Sequence, residues 1–185
     1  MTYKLTRRAA KELIAHEGIV REAYKDSVGV WTWSIGITNA SGHQVHPRYL
    51  DNPQSLEKCL QIFIWLLKFK YVPDVEHAFT GYALTEAQFA AALSFHWNTG
   101  RIASAGWVTM WKEGRIKAAR TNFLSYRKPA DIIPRRQKEA ALFFDGVWSG
   151  DGKSNVYPVR KPSYTPNWAG VQRVDVSDII DGLLS

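Results

Sequence analysis

The sequence predicts an α+β fold: a small N-terminal β-hairpin lobe, a larger helical lobe and a cleft between them. Three observations carry this. Aromatic and β-branched residues punctuated by turn signals cluster between residues 23 and 46. From Ser55 to Phe144 the apolar residues recur at helical spacing, interrupted by Gly and Pro. The length of 185 residues, 45% apolar and 22% charged, suits one soluble domain with two lobes and an ample core.

Taken in order, Thr6 can cap a first helix running from Arg7 to Glu17, with Gly18 as its stop. Ala10, Leu13, Ile14 and Glu17 fall at i, i+3, i+4 and i+7, so Glu17 is expected on the core-facing stripe. Residues 23–46 read as a small antiparallel sheet with turns at Lys25–Gly29 and Asn39–Gly42. A connection from Pro47 to Pro53 follows, then a helix from Ser55 to about Tyr71, ended near Pro73. Its stripe of Leu56, Cys59, Leu60, Phe63 and Leu67 makes Cys59 a buried thiol. Thr85-Glu86-Ala87-Gln88 is a capping box, and Phe89, Ala92, Leu93 and His96 trace the buried face behind it. Gly100, Gly106 and Gly114 punctuate short helices bearing Trp107, Met110 and Trp111, and Ile116, Ala119 and Phe123 mark another. Pro134 suits the first turn of a helix reaching Phe144. The tail then turns rich in Gly, Pro, Ser and Tyr. We expect a domain over residues 1–148 and a C-terminal extension over 149–185 that lays its aromatics onto the helical lobe.

The chemistry concentrates in the first 32 residues. Glu17, Asp26 and Thr32 form a Glu-x8-Asp-x5-Thr pattern set in His-Glu-Gly, Ala-Tyr-Lys-Asp and Val-Gly-Val-Trp-Thr. Singly, each residue reads as a helix end, a turn aspartate or a strand threonine. Together, two carboxylates and a hydroxyl are what hydrolysis of a glycosidic bond requires: one carboxyl protonates the leaving oxygen while the other steers a water or stabilises positive charge. Burial and the negative end of the helix dipole both favour the protonated form of Glu17, as a proton donor needs.

These segments resemble the active-site region of the phage-type lysozymes, the endolysins of glycoside hydrolase family 24. That resemblance implies Glu17 as general acid, Asp26 as the residue that orients the attacking water or supports the oxocarbenium ion, and Thr32 as completing the water site. It also implies inversion at the anomeric carbon. Leu93-Ser94-Phe95-His96-Trp97-Asn98-Thr99-Gly100 resembles the family's central helix ending, and Pro134-Arg135-Arg136-Gln137-Lys138-Glu139 its Arg-Arg-x-x-Glu helix start. From these we expect Trp97, Asn98, Arg135 and Arg136 to bind substrate, at most one arginine facing the cleft beside Glu17, where it pairs with that carboxyl or holds a substrate acid group, and the one facing away solvated and balancing Glu139. The strand after Thr32 departs from the family's Thr-Ile-Gly-x-Gly-His, with Ser34 for a Gly and Ile37 for the His. It is unusually aromatic, and Trp33 beside Thr32 is a further candidate to stack on a sugar ring.

The net charge of +7, from 24 basic against 17 acidic residues, favours anionic partners. No nucleic-acid-binding signature is present, so peptidoglycan is the expected partner and nucleic acid is not. A single cysteine excludes an intrachain disulfide, no Cys/His cluster has metal-ligand spacing, and neither metal nor cofactor is expected. His43 and His46 read as surface residues. The N-terminus is expected to carry no signal segment, the longest apolar run, Ile62 to Leu67, is too short to span a bilayer, and no stable membrane association is expected. The chain is expected to be a monomer that accumulates in the host bacterial cytoplasm until holin-type release, as the resemblance implies, and then acts on the wall in the periplasm. The expected activity is that of a muramidase. The rival readings are a lytic transglycosylase and a non-catalytic wall-binding phage protein.

Overall fold

A computed structural model describes residues 3–185; the first two, part of the segment read for a signal, lie outside the described residues. The fold is α+β. It divides into two compact units. One comprises the chain up to Leu13 with Leu67–Ser149; the other comprises Ile14–Leu66 with Gly150–Ser185.

The first unit is helical. Its centre is α4 (Glu86–Thr99), where every residue from Phe89 to His96 is buried, as befits a helix surrounded by others. The capping box is formed as expected: the Thr85 hydroxyl accepts the Gln88 N–H at 3.2 Å and the Gln88 side chain accepts the Thr85 N–H at 3.0 Å. Around α4 lie α3 (Val72–Ala78), α5 (Gly106–Lys112), α6 (Ile116–Leu124) and α7 (Ile133–Asp145). Pro73 stands in the first turn of α3 and so starts a helix where the sequence reading has it end one. Phe95, Trp107, Phe123 and Phe143 interlock in the core, with Trp107 centred 4.9 Å from both Phe123 and Phe143. Helix α1 (Arg7–Ala15) begins in this unit, and the Thr6 hydroxyl caps it by accepting the Ala9 N–H at 3.1 Å. Glu12 is buried there and accepts both the N–H (2.9 Å) and hydroxyl (2.6 Å) of Ser149.

The second unit carries a five-stranded sheet in the order β3-β2-β1-β4-β7. Its strands are β1 (Gly18–Lys25), β2 (Trp31–Ser34), β3 (Ile37–Thr38), β4 (Lys153–Tyr157) and β7 (Gln172–Asp175). A two-stranded ribbon of β5 (Val159–Arg160) and β6 (Thr165–Pro166) lies between β4 and β7 in the chain. The C-terminal tail, expected on the helical lobe from its aromatics, groups instead with the sheet-bearing unit. It enters the sheet: β4 runs parallel to β1, pairing Asn155 with Gly18 and Tyr157 with Val20, and β7 closes antiparallel on β4. Its anchors are Val156, Val176 and Ile180, whereas Val147 and Trp168 are exposed. Helix α8 (Ser177–Leu183) ends the chain beside α2 (Leu56–Leu66), whose stripe buries Cys59, Leu60 and Phe63. Burial raises the Cys59 thiol pKa to about 11, which makes it inert packing.

Ser34, which stands where the resemblance expects Gly, adopts φ +57, a left-handed conformation that Gly takes without cost. Its hydroxyl is buried and donates to the Cys59 carbonyl at 3.2 Å, a bond that offsets the strain.

Candidate active site

Glu17 lies just past α1, not within it, at the two-residue junction before β1. It is half-buried, so the expectation of a core-facing glutamate holds only for Ala10, Leu13 and Ile14, the rest of that stripe. The junction is held at both backbone groups. The Glu17 N–H donates to Ile14 O at 3.1 Å, and the Glu17 carbonyl accepts the Ser154 hydroxyl of β4 at 2.8 Å. Gly18 is not a left-handed helix stop but the first strand residue. A Cβ there would meet the Tyr157 ring at 2.7 Å, so the glycine is required by close approach of the tail.

Asp26 heads the turn from β1 to β2. Its Oδ1 accepts the N–H groups of Val28 (3.0 Å) and Val30 (2.8 Å), and its own N–H donates to Val30 O at 3.0 Å. One carboxylate oxygen thus builds the turn that presents the other. Thr32 follows in β2, buried, with its hydroxyl donating to Val30 O at 3.0 Å.

A straight strand would carry Glu17 and Asp26 far apart. β1 is not straight: its register to β2 passes from Val20–Ser34 to Tyr24–Thr32, so it carries extra residues opposite a shorter step of its partner. Such a bulge bends the strand and increases its twist. Tyr24 stands opposite Thr32 across the pair. Its phenol pKa is raised above the ordinary range by burial first, then by the negative charges of both Glu17 and Asp26. The sequence signal for Tyr24 is its place two residues before Asp26.

Trp33, a candidate to stack on a sugar ring, does not present its indole at the surface. It is fully buried, donates its indole N–H to Arg21 O at 2.9 Å and stacks on Tyr49 at 3.9 Å between ring centres. His43 joins this stack and bonds the Tyr49 hydroxyl at 2.8 Å, so it is a packed residue rather than a surface one. The half-exposed indole of the strand is Trp31, stacked on His46.

The remaining candidates lie in the helical unit. Arg135 and Arg136 are both buried, so neither is the solvated arginine expected from the sequence. Arg135 donates to Glu139 Oε1 at 2.8 Å and reaches Ser94, while Arg136 bonds Glu139 Oε2 and donates to Tyr126 O at 2.9 Å and Asn98 Oδ1 at 2.6 Å. Burial lowers the Arg136 pKa, and Glu139 opposes that shift. Arg136 and Asn98 line a cavity of about 390 Å³ with Arg101, Arg127 and Lys128. Trp97 is half-buried against Tyr71, 4.7 Å between ring centres.

The family model for phage lysozyme matches residues 14–139. The chain belongs to the phage lysozyme family. It is similar in fold to an endolysin from the Escherichia coli O157:H7 phage FAHEc1, at 19% identity and TM-score 0.64 over 80% of this chain and 98% of that one. A mutant lysozyme of phage P22 is 25% identical, with TM-score 0.61 over 76% of this chain and 98% of that one. The muramidase domain of SpmX from Asticaccaulis excentricus is 23% identical, with TM-score 0.59 over 76% and 97%. No curated relative matches by sequence. As a phage lysozyme, the chain is a glycoside hydrolase, a muramidase that acts on peptidoglycan. The match ends at residue 139, so the tail strands lie beyond it. Among the described residues no helix is long and apolar enough to cross a membrane, and no group of three His, Cys, Asp or Glu could hold a metal ion.

Proposed function

We propose that Glu17 is the general acid, Asp26 the general base and Thr32 the second holder of the attacking water. The observation that carries this is the hydrogen bonding of the hairpin, which commits Asp26 Oδ1 to the Val28 and Val30 amides and the Thr32 proton to Val30 O. The hydrogen bonds supply the mechanism. The Thr32 proton is committed to Val30 O, so toward a water Thr32 offers only a lone pair. Asp26 Oδ1 is committed to the turn, which assigns the water to Oδ2. A water donating both its protons, to Asp26 and to Thr32, turns its own lone pair toward the anomeric carbon. Glu17 gives its proton to the glycosidic oxygen as the C–O bond breaks; water adds to the carbon and its proton passes to Asp26.

In the helical unit, Trp97, Asn98 and Arg136 contact substrate, and Arg135 acts behind them by fixing Glu139. Residues 1–148 form the catalytic domain and 149–185 an extension of it. The chain works as a monomer and reaches the periplasm from the host cytoplasm by holin-type release, as its family membership and basic charge support.

The test is product analysis with two variants. The parent should release reducing muramic acid ends from peptidoglycan. Glu17→Gln should fold and be inactive, and Asp26→Asn should retain activity reduced on the order of 10²–10⁴-fold. Anhydro ends would indicate transglycosylation, and a folded Glu17→Gln protein with near-normal lysis would refute the acid assignment.

A further inference from the structure

The Asp26 turn is gripped from outside its own hairpin. Lys25 and Trp31 are cross-strand partners at the base of the turn. Tyr164, in the turn between β5 and β6, touches both. Its carbonyl accepts the Lys25 N–H at 2.6 Å, and its ring meets the Trp31 indole edge-on at 5.5 Å. Tyr164 is in turn tied down. Its phenol donates to Asp51 Oδ2 at 2.9 Å, and the Lys161 ammonium lies 4.6 Å over its ring. Lys161 bonds Glu22 of β1 at 2.9 Å and also Asp51 Oδ1. Tyr164 and Asp51 are two of the three described non-glycine residues with positive φ, at +56 and +52. Strained residues persist where their surroundings over-determine them, and they cluster at functional sites.

Exposed ion pairs contribute little stability, commonly under about 1 kcal/mol. A solvent-facing lysine and aspartate are therefore a poor device for holding a fold together. They are a good device for orientation, because one ammonium shared by two carboxylates and a ring fixes direction. We infer that the Lys161–Tyr164 turn is a clasp that positions Asp26 for catalysis, with Lys161 and Tyr164 as positioning residues for the hydrolytic step. This rests on the role proposed for Asp26. It gives the tail, which lies beyond the family match, a part in the reaction.

The experiment uses the full chain with Lys161→Met, Lys161→Arg and Tyr164→Phe, each also made in an Asp26→Asn background. Amide hydrogen exchange at Val28 and Val30, whose N–H groups bond Asp26, reads the turn directly. Lys161→Met and Tyr164→Phe should speed exchange at both amides and lower kcat on peptidoglycan about tenfold, with KM and melting temperature unchanged. Lys161→Arg, which keeps the charge, should restore both readouts. In the Asp26→Asn background the same substitutions should change kcat no further, since they act through that carboxylate. Unchanged exchange at Val28 and Val30 would overturn the clasp, and faster exchange with normal kcat would make it merely structural. An equal loss of kcat in the Asp26→Asn background would also overturn it. A fully active Asp26→Asn protein would refute the proposed base, a separate outcome from any change in exchange.

Discussion

Glu139→Gln probes the strongest polar cluster in the helical unit. Glu139 is fully buried and holds two guanidinium groups, Arg135 on one oxygen and Arg136 on the other. Ser94 donates to the same carboxylate at 2.5 Å. Glutamine preserves shape and one acceptor but removes the charge. Neither arginine can shed its proton near neutral pH, so two cations would be left buried against each other. Breaking a buried pair of this kind costs about 3–5 kcal/mol. In a protein of this size each kcal/mol moves the melting temperature by about 2–4 °C, so the expected fall is about 6–20 °C. The pair is screened from solvent ions, and the loss should persist in about 0.5 M salt. Thermal melting and urea unfolding at low and high salt would check this. A loss under about 1 kcal/mol, or one that vanishes in salt, would show that the cluster contributes no more than a surface ion pair.

Two further perturbations follow from the sheet unit. Gly18→Ala drives a methyl into the Tyr157 ring at 2.7 Å and should cost about 1–3 kcal/mol; combining it with Tyr157→Ala should recover most of that loss, and an additive double mutant would argue against the contact. The His43 imidazole pKa lies below its usual range through burial first, then the charges of Arg48 and Lys58, so the folded state prefers the neutral ring. The unfolded chain takes up that proton first, so the stabilisation is complete above about pH 6.5 and fades as pH falls below it. His43→Phe should flatten the stability profile over that window, and an unchanged slope would exonerate His43.

The candidate residues Glu17, Asp26 and Thr32 stood out because all three lie within one short stretch, each in a motif with local meaning: helix end, turn, strand. The α4 capping box and Pro134 were legible for the same reason, since caps act over three or four residues. Trp33 misled because residues two apart in a strand share a face, and that face is covered by Tyr49 and His43 at Trp33 while it is only half-buried at Trp31. Both arginines misled because a helical wheel separates their side chains, yet at i+4 and i+3 each reaches Glu139. The tail was the least legible part. Its strands run two to five residues, too short for periodicity to register, and the β1–β4 pairing joins segments far apart in the chain.

That pairing changes what β1 is. With β2 alone beside it, β1 would be an edge strand, open along the side that leads to Glu17. With β4 in place it is central, and the tail reaches both of its ends. At the Gly18 end the Ser154 hydroxyl holds the Glu17 carbonyl and the Tyr157 ring presses on the glycine. At the Lys25 end the Tyr164 carbonyl holds the strand where it turns into Asp26. Between these ends the bulge bends β1 and increases its twist. Fixing such a strand at its two ends and leaving the bend between them restrains both of the segments that carry the proposed catalytic carboxylates. The same argument explains why the tail contacts β1 through backbone groups and rings, which constrain position, more than through apolar burial, which does not.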